Sequence, residues 1–371
     1  MPGQVGNSAP GRRRQTRRLD IAALVVLVVV LAFLWGRAAG TWFWLDEGIA
    51  TGVASHPLRD IPHLLRQDGA PPLYYVVLNL WMSLVGRSDA QTHLLSLSFA
   101  LATVPAALWA GWSLFGRRAG WICALVVAIN PFVAAYANET RMYSLVVLLT
   151  LLALAAFLHA FVYNRRGYLP VFAALLAALL YTHNWGVLVG AGTGLAAIGC
   201  IAASQFRRRL VVDTAMSFGA AFVIYAPWLP TLIYQRGQNL QPWAQRPTLV
   251  TMRADAIELF GAPEAFIVLA LGVGIGLATL SRRALTPAVL ATLCLGVVSV
   301  VIAAGGWMSG VWAYRYLAAL LAPLVLLAGL GLSRGGKPAL ACLGAVAIVT
   351  APIGVKTPPE QKSNAKAVAL G

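Results

Sequence analysis

The stretch Gly69-Ala-Pro-Pro-Leu-Tyr-Tyr-Val-Val-Leu-Asn-Leu-Trp-Met-Ser-Leu-Val-Gly-Arg87 decides how this chain is arranged. It is apolar enough to read as a membrane helix. Between its ends, however, it offers only about 17 residues, roughly 25 Å of helix against a hydrocarbon core of about 30 Å. It opens on Pro71 and Pro72 and carries Asn79 in its middle. Eleven further apolar runs surround it, near 20–40, 91–115, 119–137, 142–163, 168–183, 185–205, 210–230, 263–281, 284–306, 314–332 and 338–354. If all twelve crossed a membrane, strict alternation would place Arg117–Arg118 and the later basic clusters on the outer side. Short loops rich in Lys and Arg belong inside. Reading 72–86 as a juxtamembrane or re-entrant helix on the outer face brings every basic cluster inside. The expectation is an all-α, polytopic integral membrane protein of about eleven transmembrane helices, with juxtamembrane helices in its first outer loop.

Composition agrees. The 371 residues are 59% hydrophobic and 11% charged, against about 25% charged in an average soluble domain. The net charge of +16 would suit nucleic acid, but the basic residues come as short clusters between apolar runs: Arg12–Arg14 with Arg17 and Arg18, Arg117–Arg118, Arg165–Arg166, Arg207–Arg209, Arg282–Arg283, and Arg334 with Lys337. That is the distribution of cytoplasmic loops, and no nucleic-acid partner is expected. Cys123, Cys200, Cys294 and Cys342 lie within apolar runs without metal or redox spacing. The expected organisation is a basic cytoplasmic tail over 1–19 and a membrane domain over 20–354. Its outer loops are 41–90 and 231–262, and the polar outer tail 355–371 is read as the start of a further extracytoplasmic domain. The run at 20–40 reads as a signal anchor that leaves the N-terminus inside.

Only two of the twelve acids, Asp20 and Asp213, fall on the inner side by this topology. Acids contribute little to orientation, so their gathering on the outer side points to function. The first outer loop opens Trp42-Phe-Trp-Leu-Asp46-Glu47-Gly48, two carboxylates directly after an aromatic belt, at the level of lipid headgroups. A partly desolvated carboxylate there can serve as general base on an acceptor hydroxyl. Asp46 equally suits the cap of a helix through Glu47–His56, and the two roles can coexist. A second group is Tyr136-Ala-Asn-Glu139-Thr-Arg141-Met-Tyr143, with an acid and a cation at the membrane boundary. They could form a mutual ion pair, or Arg141 could bind phosphate. A third is Trp312-Ala-Tyr314-Arg315-Tyr316, where Arg315 leads into an apolar run and suits a lipid phosphate. His183, in Tyr181-Thr-His-Asn-Trp185, reads as a contact residue. His56, Arg59, His63, Arg66 and Asp68 crowd the first loop as headgroup or sugar contacts, or as a solvated helix face. Pro227-Trp-Leu-Pro230 with Gln235, Gln238, Gln241 and Trp243 forms a polar, aromatic loop. No Walker motif, dinucleotide fingerprint or zinc-spaced set is present, so a soluble nucleotide-sugar donor has no visible site.

Taken in order, these stretches resemble the GT-C superfamily of polyprenyl-phosphate-sugar glycosyltransferases. The nearest likeness is to the family 39 type, which includes protein O-mannosyltransferases and the aminoarabinose transferase of lipid A. It is carried by Trp44-Leu-Asp46-Glu47, Asp68-Gly-Ala-Pro-Pro72-Leu-Tyr-Tyr75, Tyr136-Ala-Asn-Glu139-Thr-Arg141-Met-Tyr-Ser, Tyr181-Thr-His183, Pro227-Trp-Leu-Pro230 and Tyr314-Arg315-Tyr316-Leu, and it spans nearly the whole chain. The resemblance implies an inverting transfer of one sugar from a lipid-linked monophosphate donor to a lipid, glycan or protein acceptor. Asp46 would then be the catalytic base, with Glu47 its neighbour and Glu139 the second acid. Arg141 and Arg315 would neutralise donor phosphate, and His56, Asp68, Tyr74, His183 and Tyr314 would contact substrate. Where the family has Arg before Leu94 this chain has His93, and no obvious Lys stands beside Pro71–Pro72, so the phosphate contact the family places on that side is not carried over. No cofactor is implied with certainty. Paired acids can bind a divalent cation, although two adjacent carboxylates alone make a poor site. A transporter or flippase would instead need ionisable residues at mid-membrane depth, and the apolar runs hold almost none. The composition points to a bacterial plasma membrane, with the C-terminus outside.

Overall fold

The computed structural model describes residues 10–37, 39–40, 42–238, 247–280 and 285–350. Gln241, Trp243, Arg282–Arg283 and the tail 355–371 lie outside the described residues. The described residues form α-helices and short helical turns, without strands. The helices are α1 (Pro10–Gly36), α2 (Leu45–Ala54), α3 (Ile61–Asp68), α4 (Leu73–Leu84), α5 (Asp89–Phe115), α6 (Arg117–Ala128), α7 (Pro131–Tyr136), α8 (Tyr143–Phe157), α9 (Leu169–Leu180), α10 (Gly186–Ala203), α11 (Arg207–Tyr225), α12 (Leu229–Arg236), α13 (Leu249–Glu258), α14 (Pro263–Ala278), α15 (Pro287–Ser309), α16 (Ala318–Arg334) and α17 (Gly336–Thr350).

Among the described residues, seven helical stretches are long and apolar enough to cross a membrane: Gln15–Gly36, Asp89–Phe115, Tyr143–Val162, Gly186–Ala203, Arg207–Arg236, Pro287–Ser309 and Tyr314–Arg334. An eighth is reached if α13 and α14, bent by 83° at their junction, count as one. Length and composition therefore do not reach the expected eleven. The run at 119–137 is broken because the Asn130 side chain accepts from Val133 N–H (3.1 Å) and Pro131 opens α7, so a new helix starts in mid-run. The α9 and α17 helices, of 12 and 15 residues, span only about 18 and 22 Å at 1.5 Å per residue. The stretch 72–86 becomes α4, also among the short apolar helices.

The central helices are α8 and α16, buried over 89% and 78% of their most apolar windows, whereas α1 is buried over only 17% of its own. With no hydrophobic drive between helices in lipid, close approach relies on small residues. The α14–α16 crossing shows this sharply: a Cβ on Gly276 would collide with the Gly331 carbonyl oxygen. Backbone cannot step aside as a side chain can, so Gly276→Ala is expected to destabilise the fold by about 1–3 kcal/mol, measurable as a lower melting temperature in detergent. An unchanged melting temperature would mean that α14 does not pack this closely in the membrane.

The basic clusters at Arg117–Arg118, Arg165–Arg166, Arg207–Arg209 and Arg334 with Lys337 share one end of the bundle, and there the two acids of that side hold arginines. Asp20 accepts from Arg117 (2.6 Å) and from the Trp121 indole (2.9 Å), while Asp213 accepts from Arg166 (2.6 Å). These contacts join α1 to α6, and α11 to the turn before α9. At the opposite end the segments between long helices gather: α2–α4, residues 137–142, the turn 181–185, α13, and the 3-10 turn Tyr314–Leu317 that leads into α16. Cys123, Cys200 and Cys294 are buried, Cys342 half-buried, and all four are free thiols.

Candidate active site

The first turn of α2 sets the site. Trp44 occupies the N-cap position, with Asp46 and Glu47 in the first turn, where negative charge is favoured by the helix dipole. Asp46 is thus a first-turn residue and not the cap. Successive helix positions are turned by about 100°, and the two neighbouring carboxylates consequently enter different environments.

Glu47 points into the bundle and is fully buried. Its carboxylate accepts the Trp44 backbone N–H (3.2 Å), reaching back over its own turn as in a capping box. It also accepts the Thr140 backbone N–H (2.7 Å) and lies 2.6 Å from His93 Nε2. Asp46 instead faces the opening, with 22% of its side chain exposed, and its Oδ2 lies 3.5 Å from Arg315 Nη1. Arg141 Nη1 donates to the Asp46 backbone carbonyl (3.2 Å). The Trp44 indole donates to Glu139 Oε1 (2.8 Å) and its ring lies under the Arg315 guanidinium at 5.7 Å, within cation–π reach. Residues about 95 and 270 positions from Asp46 are thereby collected round one helix turn.

Arg141 is the most enclosed cation of the group. Burial opposes its charge, but Tyr75, Tyr143 and Asp46 outweigh burial and raise its pKa above the ordinary arginine value. Its Nε is buried with no hydrogen-bond partner among the described residues. Asp68, at the end of α3, accepts from Tyr75 (3.3 Å). Burial pushes the Asp68 carboxyl up, and the field of Arg141 works against that rise. His183 packs edge-on to Tyr316 (4.9 Å) and accepts the Trp185 backbone N–H at Nδ1 (3.1 Å). Asp46, Glu139, Arg141, Arg315, Asp68 and His183 therefore form one cluster.

Against known proteins, no family model and no curated entry matches this chain. Solved structures do match. ArnT from Cupriavidus metallidurans in the apo state superimposes with a TM-score of 0.65 at 18% identity, over 95% of this chain and 69% of that one. The same protein bound to undecaprenyl phosphate gives 0.66 at 18%, over 94% and 69%. The oligosaccharyltransferase AglB from Archaeoglobus fulgidus, in complex with an inhibitory peptide and a dolichol-phosphate, gives 0.60 at 11%, over 91% of this chain and 55% of its own. Both neighbours are GT-C proteins. This chain has the GT-C fold. ArnT is of family 83, whereas the resemblance drawn from the residues quoted above is to the family 39 type.

Three expected contacts do not meet the cluster directly. Tyr74 is fully buried and its hydroxyl pairs with Ser96 (3.3 Å), whose hydroxyl donates to the Arg141 carbonyl (3.2 Å), so it backs the cluster from the core; its neighbour Tyr75, one helix step round, is the tyrosine that reaches Asp68. His56 is exposed just beyond the far end of α2, with Nδ1 on the Gly52 carbonyl (3.0 Å), and ten helical residues carry it about 15 Å from the first turn. Tyr314 donates to the Glu258 carbonyl (3.3 Å) and stacks near Phe132 and Tyr136, which places it on the α13 side. In the first loop Arg66 covers the Tyr234 ring (4.2 Å) and Gln235 donates to the Leu65 carbonyl (2.9 Å), joining α3 to α12. Trp44, Tyr75, Thr140, Tyr143 and Tyr316 were not among the expected site residues. Tyr75, Tyr143 and Tyr316 stand in apolar runs and look like ordinary core until their partners are seen, while Trp44 and Thr140 lie between runs with no charge to mark them. A divalent cation fits poorly: Glu47, Asp46 and Glu139 each face a different donor, and among the described residues no three His, Cys, Asp or Glu side chains group as ligands.

Burial, with Arg141 and Arg315 nearby, pushes His183 down to about 3 from 6.5. Between those values the unfolded chain binds a proton that the folded chain refuses, so stability rises with pH across the window and falls on acidification. The melting temperature in detergent is expected to drop from pH 6.5 towards pH 4, and His183→Gln is expected to flatten that drop. An equally steep fall in the variant would assign it to other groups.

Proposed function

We propose that the chain is an inverting membrane glycosyltransferase, moving a sugar from a polyprenyl-phosphate donor to an acceptor hydroxyl at the outer face of the membrane. The observation that carries this reading is the cluster itself. One part-exposed carboxylate, Asp46, sits at a bundle end between Arg315 and Arg141, and a buried Arg141 Nε still has a hydrogen bond to give. Forked guanidinium groups match phosphate oxygens in geometry and charge. The fold supports the reading, because ArnT was solved with undecaprenyl phosphate and AglB with a dolichol-phosphate.

With the donor phosphate between the arginines, Arg315 exchanges its contact with Asp46 for one with phosphate, and the carboxylate is released to act as base. The acceptor oxygen attacks the anomeric carbon while Asp46 takes its proton. The bond from that carbon to the phosphate oxygen breaks with its electron pair, leaving polyprenyl phosphate held by Arg141 and Arg315. Charge develops on that leaving oxygen, where preorganised cations stabilise the transition state most. Glu139, fixed by Trp44, lines the sugar side of the pocket, and Asp68 and His183 contact substrate. His183, neutral at working pH, serves there as a hydrogen-bonding group. The acceptor is a lipid, glycan or protein. Exposed apolar side chains along the spans, such as Phe33 and Val223, face membrane lipid. The chain sits in a bacterial plasma membrane with its N-terminus in the cytoplasm and its C-terminus outside.

The test is transfer of radiolabelled sugar from a panel of polyprenyl-phosphate sugars by the purified protein in lipid, with membrane extract as acceptor. Label in product with one donor supports the function and identifies the sugar. Folded protein that transfers none of them removes it.

A further inference from the structure

At the position where the resemblance leads one to expect arginine, His93 lies fully buried near the start of α5 and touches two acceptors. Its Nδ1 is 2.6 Å from the Ala39 carbonyl oxygen and its Nε2 is 2.6 Å from Glu47 Oε1. A carbonyl can only accept, so Nδ1 carries hydrogen. A second proton must then lie between Nε2 and Oε1, since two lone pairs cannot share so short a contact. Glu47 passes this hold on through the Thr140 N–H, and Thr140 Oγ1 returns to α5 by donating to Thr92 Oγ1 (3.0 Å). Glu139 and Arg141 flank Thr140 in the chain, and Asp46 precedes Glu47.

We propose that His93 is a positioning residue of the transfer site: with Glu47 and one shared proton it clamps residues 139–141 to the first turn of α2, fixing Arg141 and Glu139 relative to Asp46. This rests on the transferase reading given above. It also changes what Glu47 does. Enclosed by donors and turned away from the opening, Glu47 orients the site, and Asp46 alone of the adjacent pair meets the acceptor. Arginine at this position would keep donors for the same two acceptors.

The test compares wild type with His93→Gln and His93→Arg, using transfer kinetics and amide hydrogen exchange of the segment around Thr140 in the full chain. A displaced reacting group costs on the order of 100-fold. His93→Gln is expected to lower kcat by about 10- to 100-fold with donor KM within about threefold, and to speed exchange at Thr140. His93→Arg, which can still donate to both acceptors, is expected to recover kcat and the protection at Thr140. Exchange needs no substrate, so unchanged protection in His93→Gln overturns the clamp whether or not the chain transfers sugar. Faster exchange with unchanged kcat overturns the positioning role. A wild-type chain that transfers nothing removes the transferase reading, and the positioning role with it, while exchange still reports on the clamp.

Discussion

Asp46→Asn is expected to lower kcat by about 10²–10⁴-fold, the usual contribution of a positioned general base, without raising KM for the donor. The reasoning starts from the part-exposed Asp46 side chain and its contact with Arg315 (3.5 Å). An amide keeps the shape and the backbone carbonyl that receives Arg141 but cannot take the acceptor's proton. It also competes less strongly than a carboxylate for Arg315, so donor phosphate should bind as well as before or better. A loss confined to kcat identifies a group that acts in the transition state. The check is a donor saturation curve with the variant, alongside its elution profile and melting temperature. A folded variant with a wild-type rate would leave Asp46 only the role of a first-turn acid, worth about 0.3–1 kcal/mol of helix stability.

Arg141→Met carries the second large effect, a fall in kcat/KM of about 10²–10³-fold, the range seen when one donor to developing negative charge is removed. Methionine fills similar space without a charge. The Asp46 carbonyl loses its donor, at about 1–3 kcal/mol for a buried acceptor left unsatisfied, but the unpartnered buried Nε is removed too. Activity should therefore fall far more than stability. Asp68 provides an internal check, since without the opposing cation its burial-raised carboxyl should rise further. Arg141→Lys keeps a point charge but not the fork and should fall between methionine and wild type. If methionine and lysine variants both transfer normally, donor phosphate is held elsewhere.

The candidate site was readable in the sequence as a set of separate segments. Asp46, Glu139, Arg141 and Arg315 each stand out because charge at the edge of an apolar run is costly without a purpose. Neighbours along one helix are harder to tell apart. Asp46 and Glu47 have the same chemistry, as do Tyr74 and Tyr75, and in each pair a single helix step sends one side chain to the cluster and the other into the core. His93 was visible as a departure from arginine, but its partner lies 46 residues away. The number of crossings, about eleven in the sequence reading, is not confirmed by helix length and composition, for a different reason. Hydropathy records how apolar a run is, while Asn130 and Pro131 decide that the helix stops within it.

Composition and charge placement by themselves determined that this is an all-helical membrane protein with its basic loops at one end, because both follow from what a residue costs in lipid, one position at a time. They also determined which polar segments are out of place. The meeting of those segments, the division of labour between Asp46 and Glu47, and the link from His93 through Glu47 to Thr140 were decided only by tertiary structure. Those relations join residues from about 45 to 270 positions apart. They depend on how α5, α8 and α16 pack, and no local period in the chain encodes that.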